Sequence, residues 1–262
     1  MKFNNNHPFH LVNYSPWPII GSWGTMIFMM GLIKMFNKMN TNLMNLGLLI
    51  IILTMIQWWR DITRESTNQG FHTKKVMMNM KWGMIMFIIS EILFFTSFFW
   101  AFFHSTLSPI IDLGMLWPPK NIQPFNPFKI PLLNSIILLS SGITVTWTHQ
   151  MILMNNKKKS MLSLMFTIML GVYFTMIQIM EYKEAPFSLN DSIYGTTFFV
   201  TTGFHGLHVL IGTTMLIISM MRLKMNHFSM NHHIGLEVTI WYWHFVDVVW
   251  LFLFIFMYWW SK

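Results

Sequence analysis

Long apolar stretches alternate with short polar ones along the whole chain. Seven apolar stretches lie at about residues 16–36, 41–60, 77–106, 130–152, 160–182, 191–222 and 234–259. Each is long enough to cross a bilayer as a helix, which takes about 20 residues. Pro16 and Pro18 open the first stretch and Pro131 falls in the first turn of the fourth, where a missing N–H does no harm. The pattern predicts an all-α polytopic membrane protein with seven transmembrane helices in a single transmembrane domain, residues 1–262.

The composition excludes a sizeable soluble domain. The chain is 54% hydrophobic and only 10% charged, whereas a soluble domain carries about 25% charged residues. Lys and Arg outnumber Asp and Glu by 17 to 9, which in a membrane protein indicates loop orientation and anionic lipid rather than nucleic acid. The sequence has no cysteine, so disulfides, thiolate metal sites and Cys-linked haem are excluded.

The distribution of basic residues predicts the orientation. With seven spans, one side would carry Lys2, Arg60, Arg64, Lys74, Lys75, Lys81, Lys157, Lys158, Lys159, Arg222 and Lys224. The other side would carry Lys34, Lys38, Lys120, Lys129, Lys183 and Lys262. The positive-inside rule therefore places the N-terminus on the matrix or cytoplasmic side and the C-terminus opposite.

Glu91 is an acid inside one of the most apolar stretches, residues 84–103. Inserting an ionisable side chain at mid-membrane costs about 2.5–3.5 kcal/mol even on insertion scales, so such a residue usually has a partner or a function. We expect Glu91 to be an intramembrane carboxyl group related to proton handling.

Two later spans each carry a polar helical face. The residues, spaced three and four apart, are Tyr194, Thr197, Thr201, His205 and His208 in the sixth span and Glu237, Trp241, His244 and Asp247 in the seventh. Consecutive spans are antiparallel, so the mid-span histidines of the sixth could meet His244 and Asp247, with Glu91 at a similar depth. The pattern predicts one polar seam between these helices.

Three hypotheses remain open for that seam. Interhelical hydrogen bonding in lipid is the first, and proton handling by Glu91 is the second. The third is a metal or haem site built on His205, His208 and His244, which would make the chain a self-contained membrane haem or metal protein. Two histidines three residues apart are weak evidence for a site of that kind.

A polar segment after the second span favours lipid binding. Its members are Trp58, Trp59, Arg60, Arg64, Glu65 and His72. Indoles at the water–lipid boundary flank acyl chains, and guanidinium groups grip phosphate, so an anionic phospholipid fits this segment. The alternative is an ordinary aromatic belt with positive-inside charge.

Several longer motifs together resemble one family. They are HPFHLV at 7–12, SPWP at 15–18, QWWRD at 57–61, SEILFF at 90–95, PLLN at 131–134, TGFHGLH at 202–208 and WYWHFVDVVWL at 241–251. In this collinear order, from about residue 7 to the end, the chain resembles mitochondrial cytochrome c oxidase subunit III.

The resemblance implies a fold and a role. Two helices (about 16–65) and five helices (about 73–259) would surround a lipid-filled V-shaped cleft. The chain would bind phospholipid but no haem or metal and would contain no catalytic residue. It would contact subunit I directly, with subunit II and accessory subunits nearby, while haem a and copper lie in those partners. It would support cytochrome c oxidation, O2 reduction and proton pumping in the mitochondrial inner membrane, with its C-terminus in the intermembrane space.

The resemblance also assigns residues. Glu91 matches the family's reactive intramembrane carboxyl group, and the positions that match its cleft phospholipid contacts are Trp58, Trp59, Arg64, Glu65, His72 and Arg222. The chain departs from the family pattern at Phe71, at Gln150 and at Asp112, where His, His and Glu are frequent. None of these departures touches Glu91 or the tryptophan–arginine segment.

Overall fold

The backbone is helical almost throughout. The computed structural model describes residues 10–111 and 114–261, and within those ranges it contains seven α-helices and no strand beyond an isolated bridge between Ser229 and His232. The helices are α1 (Trp17–Lys38), α2 (Asn42–Thr67), α3 (Lys74–Leu107), α4 (Ile130–Leu153), α5 (Lys157–Lys183), α6 (Ile193–Lys224) and α7 (Ile234–Leu253), which continues as a π-helix over Phe254–Trp259. All seven are long and apolar enough to span a membrane, so the predicted fold class is confirmed.

Some sequence features fall outside those ranges. Lys2, the first three residues of the motif at 7–12, Asp112 and Lys262 all lie outside the described residues.

The largest difference from the predicted spans concerns the end of α2, which reaches Thr67 rather than residue 60. Beyond the apolar stretch the backbone stays helical, and several of the polar side chains are exposed or hydrogen-bond to backbone groups of the same helix. The Thr63 hydroxyl, for example, donates to the Trp59 carbonyl at 2.8 Å. Arg64 and Glu65 therefore project from a helix and not from a loop, which fixes the side of the helix on which they lie.

The chain forms two compact units, residues 1–80 and 81–262, with the boundary inside α3. In the first unit α1 and α2 pack closely because two glycines leave room for backbone. A Cβ on Gly31 would meet the backbone of Met44, and a Cβ on Gly47 would meet the backbone of Phe28. Small residues at a helix crossing are the usual means by which membrane helices approach each other.

The second unit is organised around the buried indole of Trp243 in α7. Gly171 of α5 and Gly212 of α6 leave the space that this ring fills. Its Nε1–H donates to the Ser141 hydroxyl of α4 at 2.8 Å. One side chain on α7 thus contacts α4, α5 and α6, and because it is completely buried it fixes the rotation of α7 about its axis.

Hydroxyl and amide side chains also join the helices of this unit. Thr144 and Thr148 of α4 hydrogen-bond Thr167 and Ser163 of α5, each at 2.8 Å. Trp250 of α7 donates to Ser135 of α4 at 2.9 Å. In lipid such bonds contribute about 0.6 kcal/mol each on average, so they act together with close packing rather than replacing it.

We predict that Gly47→Ala destabilises the pairing of α1 with α2 by about 1–3 kcal/mol, because the added methyl group meets backbone that has no room to move. Gly21→Ala is the matched control, since a Cβ there would make an ordinary contact with the Thr54 methyl group at 3.7 Å. The measurement is SDS-induced unfolding of the full chain in bicelles, with a reporter placed on the first unit. Equal unfolding curves for the two variants would contradict the packing described here.

Candidate functional site

Glu91 has a close partner inside the helical bundle. Its Oε2 lies 2.9 Å from Nε2 of His208, which joins α3 to α6. The Glu91 side chain is 21% exposed and that of His208 is 11% exposed. The other ring nitrogen of His208, Nδ1, lies 2.7 Å from the Phe204 carbonyl one turn earlier in α6.

These two contacts define how protons are held. A carbonyl oxygen only accepts, so His208 Nδ1 carries a hydrogen that it donates to Phe204. The gap between Nε2 and the Glu91 carboxyl group then holds one proton. Either a carboxylate faces an imidazolium or a carboxylic acid faces a neutral imidazole. Both states have no net charge, which is the condition for placing two ionisable groups in hydrocarbon at modest cost.

Aromatic rings pack around the imidazole of His208 and limit its exposure. The imidazole of His208 packs edge-on against Phe95 at 5.0 Å between ring centroids. It stacks on Tyr242 at 6.2 Å and lies the same distance from Phe245. A hydrogen bond in such an environment is stronger electrostatically than the same bond in water.

His205, one turn before His208, has a different role. Its side chain is buried, and Nε2 donates to the Val246 carbonyl of α7 at 3.2 Å. Its ring lies 5.2 Å from that of Trp250. His205 therefore joins α6 to the backbone of α7, and its partner is neither His244 nor Asp247.

His244 and Asp247 form a separate pair on α7, with 3.7 Å between Nδ1 and Oδ2. Asp247 faces α4, where Gly142 leaves room for its carboxylate. Of the polar seam predicted between the third, sixth and seventh spans, the link between Glu91 and His208 is present, whereas His205 and His208 have partners other than His244 and Asp247. The spacing correctly places polar residues on one face of each helix, but it does not show their partners. His205 bonds the Val246 carbonyl, His208 bonds Glu91, and His244 lies beside Asp247.

An apolar groove of about 630 Å³ opens beside His244, between α3 and α7. Aromatic side chains such as Phe99, Trp100 and Phe252 make up much of its lining, and His244 and Thr96 are its polar members. Such a surface suits an acyl chain.

Glu237 lies away from this region, in the first turn of α7. Its carboxylate pairs with Lys81 of α3 at 2.5 Å and lies 3.3 Å from His233.

A second groove, of about 650 Å³, lies in the first unit. Four residues that the sequence assigned to lipid binding line it, namely Trp58, Arg64, Glu65 and His72. The same groove is lined by His10, whose Nε2 lies 3.2 Å from the Glu65 carboxylate. Trp17 also lines it and donates from Nε1 to Asp61 at 2.7 Å. The groove thus combines indoles with cationic and anionic groups.

Two of the assigned lipid residues lie elsewhere. Trp59 is 55% exposed on α2 and is not among the described residues that line the groove. Arg222 belongs to the second unit, where its guanidinium lies 4.6 Å from the centre of the Phe228 ring.

Sequence reasoning missed His10, Trp17 and Asp61 as groove residues. The motifs at 7–12, 15–18 and 57–61 contain all three, but nothing in the sequence alone pairs the first two motifs with the third.

Comparison with known proteins identifies the family. The family model for cytochrome c oxidase subunit III matches residues 7–262. The chain belongs to the cytochrome c oxidase subunit III family. It is 60% identical over 259 residues to cytochrome c oxidase subunit 3 of Locusta migratoria, covering 99% of this chain and 98% of the relative. It is 59% identical to that of Drosophila melanogaster, with complete coverage of both chains, and 56% identical to that of Pelomedusa subrufa, with 99% coverage of both.

Membership of the cytochrome c oxidase subunit III family confirms the resemblance drawn from the motifs. Together with seven helices of membrane-spanning length in the described part of the chain, it fits a multi-pass protein of the mitochondrial inner membrane. Two departures from the family pattern lie within the described ranges. Phe71 follows α2 and its N–H donates to the Glu65 carbonyl at 3.2 Å, while Gln150 is exposed near the end of α4.

Proposed function

We propose that this chain is a non-redox core subunit of cytochrome c oxidase. Cytochrome c oxidation, O2 reduction to water and proton pumping proceed at haem a and copper centres in partner subunits, which this chain stabilises. The observation that supports this most directly is the hydrogen bonding of His208. Both of its ring nitrogens have partners within the chain, Phe204 and Glu91, so neither is free for a metal ion.

The proposed partner in direct contact is subunit I, with subunit II and accessory subunits completing the complex. Family membership supports this assembly. The exposed apolar side chains on α3, among them Met86, Leu93 and Trp100, offer surface for lipid or for neighbouring apolar helices. We further propose the orientation that the basic residues predict, with the N-terminus in the matrix and the C-terminus in the intermembrane space.

The Glu91–His208 pair supports a role in sustaining proton uptake by the neighbouring subunit. It holds one proton in the gap between the two side chains, at a place that is only partly exposed. Moving that proton between the carboxyl group and the imidazole leaves the net charge unchanged, so the transfer needs no counter-charge from the lipid. The pair is therefore suited to hold a proton within the membrane without a large electrostatic cost.

The groove of the first unit supports phospholipid binding. Arg64 offers a forked donor for a phosphate group, while Trp58 and Trp17 provide apolar walls for the glycerol and upper acyl region. Both acidic groups in the groove already have partners, because Asp61 pairs with Trp17 and Arg60 and Glu65 pairs with His10. The guanidinium of Arg64 lies 3.8 Å from Asp61 and is 60% exposed, which leaves donors for an anionic lipid.

The rival function is a self-contained membrane haem or metal protein using His205, His208 and His244. The partners of these histidines are Val246 and Asp247 on α7 and Glu91 on α3, so the three rings are not directed at one common point. Stoichiometric iron or copper in the isolated chain would favour the rival. The proposed role as a non-redox subunit requires neither.

We predict that Glu91→Gln lowers oxidase turnover by less than about twofold, under about 0.5 kcal/mol on the barrier, because the reacting atoms lie in other subunits. Glutamine keeps a hydrogen bond to His208, so assembly should be preserved. The measurement is oxygen consumption by the purified complex together with its haem and copper content. Loss of haem or copper in this variant would contradict the assignment.

We predict that Arg64→Ala reduces the anionic phospholipid that co-purifies with the oxidase and shortens the time for which the enzyme stays active. Lys75→Ala is the control, since it removes a positive charge from an exposed residue of the same unit that does not line the groove. Lipid mass spectrometry and activity followed over many turnovers provide the measurements. Arg222→Ala tests the second assigned arginine and should lower lipid content in the same way.

Unchanged lipid in Arg64→Ala, or an equal loss in Lys75→Ala, would count against the groove as the binding site. The first result would remove Arg64 from lipid binding. The second result would mean that Arg64 attracts anionic lipid only through the positive charge it adds to the protein surface.

A further inference from the structure

Two histidines and a glutamate meet at one end of the second unit. His149 lies near the end of α4, His233 immediately precedes α7, and Glu237 lies in the first turn of α7. Nε2 of His149 is 3.3 Å from Nε2 of His233, which is 3.3 Å from Oε1 of Glu237. One ligand atom from each residue lies within 4.8 Å of the other two. The end of α4 and the start of α7 therefore bring three metal-ligating side chains to one point.

The hydrogen bonds around His233 leave a deficit of protons at this point. Its Nδ1 is 2.9 Å from the Ser229 carbonyl, which only accepts, so Nδ1 carries a hydrogen. In the neutral ring Nε2 then has only a lone pair. That lone pair faces both the His149 nitrogen and the Glu237 oxygen. A hydrogen carried by Nε2 of His149 would fill the gap between the two rings but would leave Oε1 of Glu237 facing the same lone pair of His233, whereas a cation between the three atoms satisfies all of them.

The distances suit a small tetrahedral ion. Two imidazole nitrogens that each lie about 2.0–2.1 Å from a tetrahedral zinc ion are about 3.3–3.4 Å from each other. The separation of the two histidine nitrogens here is 3.3 Å. Calcium and magnesium prefer oxygen ligands, so two imidazoles and one carboxylate favour zinc. The Ser229 carbonyl supplies the outer hydrogen bond that fixes the tautomer of a histidine ligand.

We propose that His149, His233 and Glu237 bind a zinc ion, with the fourth ligand position open to water. The ion would join the end of α4 to the connection between α6 and α7 and to the start of α7. Zinc does not change oxidation state, so this site stands independently of the proposed non-redox function. It revises the expectation, drawn from the family resemblance, that the chain binds no metal.

Lys81 of α3 competes with the ion. Its ammonium lies 2.5 Å from Oε2 of Glu237 and balances the carboxylate charge when no metal is bound. Its side chain is 37% exposed, so it can turn to solvent when zinc takes that role. Removing the positive charge of Lys81 should therefore strengthen zinc binding. If the cluster were only a structural ion pair between Lys81 and Glu237, removing Lys81 would not increase the affinity for zinc.

The test is zinc binding to the purified oxidase that contains this chain. The complex is stripped with a chelator, titrated with zinc sulfate at neutral pH and analysed by mass spectrometry of bound metal. We expect wild type to bind one more zinc ion per complex than His149→Gln or His233→Gln. Affinity at this site should fall by about 100-fold or more in these variants, since even outer-shell partners of a metal are worth about 10–100-fold. The control, His232→Gln, removes a neighbouring imidazole outside the cluster and should bind as wild type does, and Lys81→Met should bind more tightly.

Equal zinc stoichiometry and affinity in wild type, His149→Gln and His233→Gln would overturn the proposal. So would binding by wild type only at millimolar zinc. X-ray absorption at the zinc edge of the wild-type complex needs no variant and therefore covers the case in which a substitution prevents assembly. The difference between loaded and stripped samples should show two nitrogen ligands and one carboxylate oxygen, and its absence would likewise overturn the site.

Discussion

The absence of water in the membrane interior is the constraint on which this structure depends. A carboxyl group placed there must find its hydrogen-bond partner within the protein. Glu91 hydrogen-bonds to His208, and the Phe204 carbonyl fixes the tautomer of His208. One proton therefore lies between the two facing side chains. The same requirement explains why the indoles of Trp243 and Trp250 each donate to a serine hydroxyl on α4.

Packing of α7 sets the geometry in which that pair forms. Trp243 fills the space left by Gly171 and Gly212, which fixes α5 and α6 against α7. His208 on α6 is then directed toward α3. The part of α3 in the second unit is joined electrostatically to α6 through Glu91 and to α7 through Lys81 and Glu237, while Phe95 and Phe102 supply its buried apolar contacts. The Lys81–Glu237 ion pair and the Glu91–His208 hydrogen bond lie at different positions along α3, so together they oppose its rotation as well as its sliding.

The seven helices could be predicted from the sequence because an apolar stretch of about 20 residues is long enough to cross a bilayer as a helix. The hydrogen-bond partners of the polar side chains could not be predicted in this way. The spacing of residues shows which face of a helix a side chain lies on, but not which other helix that face contacts. Asp247 illustrates this, since its carboxylate faces α4 because Gly142 leaves space there. Glu237 illustrates it again, because the seam hypothesis grouped it with mid-span residues although it lies at a helix end beside His149 and His233. The end of α2 was missed for another reason, since hydropathy marks where a helix leaves the lipid and not where it stops.

The most direct test of this account is a double-mutant cycle on Glu91 and His208. The free energy of unfolding of the full chain in bicelles would be measured for wild type, Glu91→Leu, His208→Leu and the double variant. The account predicts a coupling energy of about 1–3 kcal/mol, because each single substitution leaves the other polar group buried without its partner. A coupling energy of about zero, with the two single effects simply adding, would contradict the claim that these two residues share a proton and hold α3 to α6.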